Sequence, residues 1–240
     1  AIDENGPTLL KSLAQYGLKP EDIDHVILTH LHFDHCGGGV AAKHVNNGVA
    51  ATKHLTSGVV ATNSNSETLV PTFPKATYWV QKGNLELAQN PNIREKASYL
   101  PANFQPLLDH QVLRLLEPNQ KDFIPGLQNL QIDAYVSHGH TGYHQSIVIS
   151  DKSSPTSTSA QPKTTVVYCG DLIPTSSHVR LAWVMGYDLS PLTLIEEKKR
   201  LLSQSSSNWY LFFEHDPYCD VATVTSNNGD FAVTHRFHLK

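Results

Sequence analysis

The chain has 240 residues, of which 40% are hydrophobic and 17% charged, with a formal net charge of −4 and three cysteines. This composition is typical of a soluble globular protein, and it offers neither a basic surface for nucleic acid nor the roughly 20-residue apolar run of a membrane span. The scattered cysteines favour a reducing, cytoplasmic setting over a disulfide framework. The 14 histidines stand out, because neutral imidazole is the commonest metal ligand.

The first third of the chain predicts a helix, a strand and an insertion. Apolar residues at helical spacing predict a helix over 7–16, and Gly17 suits its C-terminal cap. The β-branched run at 25–29 predicts a short buried strand. Residues 39–70 repeat GVAA or GVVA three times, which fits either a short helix with hairpin-like turns or a flap, and we interpret them as a surface insertion.

The rest of the chain alternates apolar runs with polar loops. A second insertion, rich in Ser, Thr and Pro, is predicted at 151–163. A capped amphipathic helix is predicted over 190–204, with Ser190 as N-cap and Pro191 in its first turn. Strands are predicted near residue 78, on both sides of a polar loop within 130–150, before Gly170, and finally at 209–217. The mixture predicts an α/β protein.

Four polar clusters follow apolar β runs, and the first is the densest: THLHFDHCGG at 29–38. Residues two apart in an extended chain can point the same way, so His30 and His32 can grip one ion. The chain turns at the following glycines, so Asp34 and His35 can point at a second ion. The later clusters are His138 to His144, Asp171 and His215.

These clusters together offer enough ligands for two ions. We predict His30, His32 and His140 for the first ion and Asp34, His35 and His215 for the second, with Asp171 between them. Nitrogen and oxygen ligation without cysteine favours Zn²⁺, with Mn²⁺ or Fe²⁺ as alternatives.

Four motifs carry a resemblance to a known family. THLHFDHCGG resembles the T-H-x-H-x-D-H-x-G-G motif of the metallo-β-lactamase-fold hydrolases, and HGHTGYHQS is similar to their next ligand stretch. That second likeness places the ligand at His140 rather than at His138 or His144. VVYCGDLIP and FFEHDP resemble the strand ends with the bridging aspartate and the last histidine. The motifs occur in family order over 25–217, and the nearest likeness is to the lactonase-like branch.

The resemblance implies a four-layer αββα sandwich over a single domain, residues 1–240. Family members carry further strands before the first motif, so the chain is expected to be shortened at its N-terminus or to begin after further residues. The branch also places a substrate-contacting tyrosine three positions after the bridging aspartate. Here Pro174 occupies that position, and Tyr187 or His178 is the candidate replacement.

The resemblance further implies a hydrolase with a metal-bridging hydroxide that attacks the carbonyl of a small lactone or ester. Asp34 is the candidate catalytic residue that accepts and returns a proton, and Thr29 or Asp24 could orient ligand histidines. The alternatives are a mononuclear iron persulfide dioxygenase and a hydrolase of thiolesters or phosphoesters. The oligomeric state stays open, with a dimer as one option.

Overall fold

The computed structural model describes residues 8–46, 49–54, 68–152 and 163–239. Helices and strands alternate over this part of the chain, which confirms the predicted α/β class. The chain divides into two compact units, Ala1–Leu116 and Glu117–Lys240. The prediction of one domain over 1–240 therefore stays a prediction. Among the described residues, no helix is long and apolar enough to cross a bilayer.

The first unit combines short helices with two three-stranded sheets. One sheet is parallel with the order β1-β5-β6, and the other is antiparallel with the order β3-β2-β4. The elements are α1 (Leu9–Gln15), β1 (His25–Ile27), α2 (Phe33–Cys36), β2 (Val40–Asn46), β3 (Val49–His54), β4 (Thr68–Pro71), β5 (Thr77–Gln81), α3 (Lys82–Gln89), α4 (Gln105–Asp109) and β6 (Leu113–Leu116).

The local signals of the first unit explain where its elements start and stop. The Thr8 hydroxyl accepts a hydrogen bond from the Lys11 amide at 3.3 Å and so caps the start of α1. Gly17 follows the helix with φ +74°, a conformation that a glycine adopts without strain, so the predicted cap is confirmed. Within the predicted insertion at 39–70, the described residues form strands, and the short-helix option is wrong for them. Residues 55–67 lie outside the described part.

The core of the first unit fixes the chain that carries the first motif. Tyr78 of β5 is fully buried, and its hydroxyl donates to the Gly39 carbonyl and accepts from the Phe73 amide, both at 3.0 Å. Leu31 and Cys36, on either side of the motif's acidic residue, are also fully buried in this core. The motif is therefore anchored by its apolar residues, which leaves its polar side chains to lie together.

The second unit is built on one six-stranded sheet with the order β12-β11-β10-β9-β8-β7. Its central pair, β9 and β10, is parallel, and the other pairs are antiparallel. The elements are β7 (Leu130–Ser137), β8 (His144–Asp151), β9 (Thr165–Tyr168), α5 (Pro191–Leu202), β10 (Trp209–Phe212), β11 (Val221–Asn227) and β12 (Asp230–Phe237).

Two details of the second unit differ from the predictions. The strand at 209–217 is β10, but it is not the last one, because β11 and β12 follow it as a hairpin. Ser190 does occupy the N-cap of α5, yet its hydroxyl lies 2.7 Å from the Thr193 hydroxyl instead of capping a backbone amide. Pro191 begins α5 as predicted. Most of the predicted insertion at 151–163 lies outside the described residues.

Candidate metal centre

In the first unit, the ring nitrogens of His30 and His32 face each other. Nε2 of His30 lies 3.0 Å from Nδ1 of His32, and both side chains are buried. Two nitrogens bound to one tetrahedral Zn²⁺ at 2.0–2.1 Å would stand about 3.3–3.4 Å apart. The pair therefore fits two ligands of one ion, as the spacing in the sequence predicts.

Asp34 and His35 form a second pair on the same stretch of chain. Both lie in α2, where Nε2 of His35 is 3.5 Å from Oδ2 of Asp34. The His35 ring is centred 4.1 Å from the His30 ring, so the two pairs are neighbours. The Asp34 side chain is 45% exposed, which leaves a carboxylate oxygen accessible to a substrate or to water.

The backbone around these four residues is fixed by other parts of the first unit. The Leu31 amide donates to Oδ1 of Asn84 at 2.9 Å, and the Phe33 amide donates to the Ser98 carbonyl at 2.8 Å. The Cys36 thiol donates to the Leu31 carbonyl, and burial raises its pKa to about 12. Cys36 is therefore a neutral packing residue and not a thiolate ligand.

Two further side chains contact the outer nitrogens of the paired histidines. The Thr29 hydroxyl lies 3.1 Å from Nδ1 of His30, which agrees with the orienting role predicted for Thr29. Oε1 of Glu95 lies 3.4 Å from Nε2 of His32. Glu95 is 4% exposed although its neighbours in the loop lie at the surface. Glu95 could not be predicted from the sequence, because a lone Glu in a polar loop gives no sign of burial.

In the second unit, Asp171 lies between two of the predicted ligand histidines. Its Oδ2 is 3.1 Å from Nε2 of His140, and its Oδ1 is 3.3 Å from Nε2 of His215. The carboxylate follows β9 on a buried 3₁₀ turn, Gly170–Leu172. Each oxygen thus faces a different histidine, which is the arrangement expected of a carboxylate that bridges two ions.

The three histidines at 138, 140 and 144 have different surroundings. His144 is fully buried, with Nδ1 3.0 Å from the Ser137 hydroxyl and Nε2 accepting from the Asp171 amide at 3.0 Å. Nε2 of His144 therefore holds the aspartate turn, and Nδ1 fixes the ring to the end of β7. Nδ1 of His138 accepts from the Tyr143 amide at 3.1 Å. His140 is the histidine of this group whose Nε2 faces Asp171.

The turn that carries His140 is held by α5 and by the chain before it. The Glu197 carboxylate accepts from the amides of His138 and Gly139, at 2.8 and 3.0 Å. Nδ1 of His140 lies 2.9 Å from Oδ1 of Asp188, which is also buried. Neither Glu197 nor Asp188 lies in a motif that would reveal its contact in the sequence.

The predicted substrate contacts lie on the chain between Asp171 and α5. Tyr187 is 78% exposed, directly before the buried Asp188. His178 is half-buried, with Nδ1 2.8 Å from the Thr175 hydroxyl, and burial lowers its pKa so that the ring is neutral at pH 7. Pro174 is buried, and its carbonyl accepts from the His215 amide at 3.1 Å. Pro174, which occupies the position of the family tyrosine, therefore helps to fix the backbone of His215, a candidate ligand.

The structure thus brings the predicted ligands together in sets, each within its own unit. The donors are imidazole nitrogens and carboxylate oxygens without thiolates, a chemistry that fits Zn²⁺ and also Mn²⁺ or Fe²⁺. The sets are His30 with His32, Asp34 with His35, and Asp171 with His140 and His215.

Comparison with known families gives one broad match. The family model described as the metallo-beta-lactamase superfamily matches residues 2–213, which is most of the chain. A curated relative, an N-acyl homoserine lactonase from Bacillus sp., is 27% identical over 148 residues. That alignment covers 61% of this chain and 41% of the relative, so the chain matches less than half the length of the lactonase.

Several solved structures are similar over nearly the whole chain. A probable metal-dependent hydrolase from Staphylococcus aureus is 24% identical with a TM-score of 0.62, and the likeness covers 98% of this chain and 71% of that one. AidC, a dizinc quorum-quenching lactonase in complex with the product N-hexnoyl-L-homoserine, is 21% identical with a TM-score of 0.66, over 99% of this chain and 72% of AidC. At these identities the likeness shows the fold, and it confirms the fold predicted from the motifs.

Proposed function

Because this chain belongs to the metallo-β-lactamase superfamily, we propose that it is a metal-dependent hydrolase that holds two divalent ions and cleaves the acyl C–O bond of a lactone or ester. The observation that carries this proposal is the position of Asp171, whose two oxygens face two different histidines at 3.1 and 3.3 Å. A single-ion site needs one such contact, whereas two contacts of this kind suit a bridging carboxylate.

The proposal assigns three terminal ligands to each ion. We assign His30, His32 and His140 to one ion. The other takes Asp34, His35 and His215, and Asp171 is shared. Support comes from inside each unit: the first unit has two separate ligand pairs, and the second has two histidines on opposite oxygens of one carboxylate.

The donor set also guides the choice of metal. Five imidazoles and two carboxylates suit Zn²⁺, which accepts nitrogen and oxygen ligands in tetrahedral or five-coordinate sites. Mn²⁺ and Fe²⁺ accept the same ligands, so they remain the alternatives. When bound, such a pair of ions would lower the pKa of a coordinated water toward 7 and polarise the carbonyl oxygen.

The residues of the chain would supply positioning and proton transfer. We assign to Asp34 the role of accepting the proton of the attacking water and returning it to the leaving alkoxide, since its carboxylate is partly exposed beside His35. The backbone beside these ligands would hold them in fixed positions: the Leu31 and Phe33 amides bond to Asn84 and Ser98, and the His215 amide bonds to Pro174. The Asp171 amide bonds to His144. Fixed ligands need little reorganisation during the reaction.

A lactone or ester is the proposed substrate class for two reasons. The relative from Bacillus and AidC are both described as lactonases. The exposed Tyr187 provides a phenol in place of the tyrosine that Pro174 replaces, and His178 provides a neutral imidazole nearby in sequence. We propose Tyr187 and His178 as the groups that contact the substrate.

Hydrolysis of a substrate panel tests this proposal. Zinc-loaded protein would be assayed with an N-acyl homoserine lactone, an aryl ester, a thiolester and a phosphotriester, beside Asp171→Asn and the exposed-histidine control His235→Ala. We expect the highest kcat/KM on the lactone or ester, a loss of at least about 100-fold in Asp171→Asn, and wild-type rates in the control. Faster turnover of the thiolester or phosphotriester, or an unaffected Asp171→Asn, would contradict it.

A further inference from the structure

Asp188 is a buried carboxylate with a specific partner on each oxygen. Its side chain has no exposed surface, Oδ1 lies 2.9 Å from Nδ1 of His140, and Oδ2 accepts from the Met185 amide at 2.6 Å. A carboxylate accepts hydrogen bonds and donates none when ionised, so the hydrogen in the His140 contact belongs to Nδ1. This contact therefore selects one tautomer of the ring.

The selected tautomer has a consequence at the other nitrogen of the ring. With a hydrogen on Nδ1, Nε2 is the ring nitrogen left to bind a cation, and it faces Oδ2 of Asp171 at 3.1 Å. An imidazole lone pair and a carboxylate oxygen at this separation repel each other unless a proton or a metal ion lies between them. A metal ion bound by both atoms would remove the repulsion.

From these contacts we infer that Asp188 is a positioning residue that holds His140 as a metal ligand through Nε2; the inference rests on the metal-dependent function proposed above. Carboxylates that accept from the outer nitrogen of a ligand histidine fix its orientation and raise its basicity. Asp188 lies 48 residues from His140 in the chain, and no motif includes it.

The chain around Asp188 is itself held in place. The two amides that follow it pair with the turn of His140: Leu189 donates to the His140 carbonyl at 3.1 Å and Ser190 donates to the Gly139 carbonyl at 2.8 Å. On the other side, the fully buried Lys198 ammonium donates to the carbonyls of Arg180, Leu181 and Trp183 at 2.8, 3.2 and 2.7 Å. Asp188 therefore approaches Nδ1 from a fixed backbone.

The same anchored segment carries the proposed substrate contact. Tyr187 and Trp183 are 78% and 49% exposed, while the backbone between them is tied to Lys198 and Asp188. One segment thus presents aromatic side chains outward and a carboxylate inward. The inward carboxylate acts on metal binding and not on the substrate, which separates its role from that of Tyr187.

The variant Asp188→Asn tests the inference with little change in size. The asparagine side chain has only one accepting oxygen, and its other end is a donating NH₂ group. Either Nδ1–H of His140 or the Met185 amide therefore loses its acceptor. The control is Asp230→Asn: Asp230 also accepts from two backbone amides, of Leu181 and Phe231, both at 2.8 Å, but it does not contact a ligand residue. Both variants remove one carboxylate that accepts two hydrogen bonds in the same unit.

Zinc affinity is measured by competition with a chromophoric chelator, without any substrate. We expect zinc to bind about 10- to 100-fold more weakly to Asp188→Asn, with Asp230→Asn within about twofold of wild type. Wild-type affinity in Asp188→Asn, or an equal loss in both variants, would overturn the inference. A wild type that binds zinc normally but hydrolyses nothing contradicts the proposed function alone.

A second measurement needs no variant. Long-range ¹H–¹⁵N correlation of histidine-labelled wild-type protein reports which nitrogen of His140 carries the hydrogen. We expect the Nδ1–H form in zinc-loaded protein. The Nε2–H form would overturn the inference whether or not Asp188→Asn folds.

Discussion

Gly139 lies where α5 packs against the turn that holds His140, and the substitution Gly139→Ala tests how tight that packing is. A Cβ at Gly139 would lie well under 3.0 Å from the backbone N, the Cα and the Cβ of Leu194. Backbone atoms in the first turn of a helix cannot rotate away, so the turn and α5 must separate. Gly186 provides the matched control, because a Cβ there would have no heavy atom within 4 Å.

The loss of stability expected for Gly139→Ala combines two effects. Overpacking costs about 1–3 kcal/mol. Separation would also lengthen two hydrogen bonds, from the Gly139 amide to Glu197 and from the Ser190 amide to the Gly139 carbonyl. Weakening each bond costs about 1 kcal/mol of stability, and more for the bond to the charged Glu197. We expect Gly139→Ala to lower the free energy of unfolding of the second unit by about 3 kcal/mol and Gly186→Ala to change it by less than about 0.5 kcal/mol.

Urea denaturation followed by tryptophan fluorescence and circular dichroism measures both variants. At an m-value of about 3 kcal/mol/M, a loss of 3 kcal/mol lowers the urea midpoint by about 1 M. A midpoint for Gly139→Ala within about 0.2 M of that of Gly186→Ala would refute the packing argument.

Three further predictions follow from buried groups. His144→Leu should destabilise the protein by about 2–4 kcal/mol and weaken zinc binding, because the Asp171 amide loses its buried acceptor; unchanged thermal unfolding would contradict this. Burial lowers the pKa of Lys198 to about 8, whereas the unfolded chain keeps a pKa near 10.5, so the unfolded state binds more protons between these values. The free energy of unfolding of wild type relative to Lys198→Met should therefore rise from pH 8 to pH 10.5, and a flat or falling difference in urea titrations would refute it. The three cysteines are buried, and burial raises the pKa of the Cys36 thiol to about 12, so Ellman's reagent should label no thiol in the native protein within minutes and all three in urea.

The candidate ligand residues can be recognised in the sequence, because they stand in dense polar clusters directly after apolar strands. His30, His32, Asp34 and His35 lie within six positions, and their alternation with the apolar Leu31 and Phe33 is visible without a structure. The structure brings them together as this pattern indicates. The members of such a cluster are close together in the chain, so their spacing can be recognised from the sequence alone.

The residues that support the ligands could not be predicted in the same way. Glu197 and Lys198 are charged residues on an amphipathic helix, where charge indicates the exposed face, yet both are buried. Each is satisfied by backbone atoms from distant parts of the chain, such as the His138 amide or the Trp183 carbonyl. Their roles depend on tertiary contacts between distant parts of the chain, which leave no regular spacing in the sequence.

The hairpin after β10 was missed although the sequence contains a signal for it. Asn228-Gly229 joins β11 to β12, with φ +48° and +84°, and Asn-Gly is the favoured pair of a two-residue hairpin turn. The flanking residues 221–227 and 230–237 mix Thr and Ser with apolar residues, so neither forms the continuous apolar run that marks β10. In this part of the chain, the Asn228-Gly229 pair indicates the hairpin more clearly than the hydrophobic pattern does.

Metal content tests the central claim most directly. Protein purified without added metal, and then saturated with zinc and dialysed, would be measured by elemental analysis beside His35→Ala. The account predicts about two equivalents of zinc in the wild type and about one in His35→Ala, because that variant removes a ligand of one ion only. One equivalent in the wild type, or one equivalent of iron that zinc does not displace, would contradict a dinuclear hydrolase.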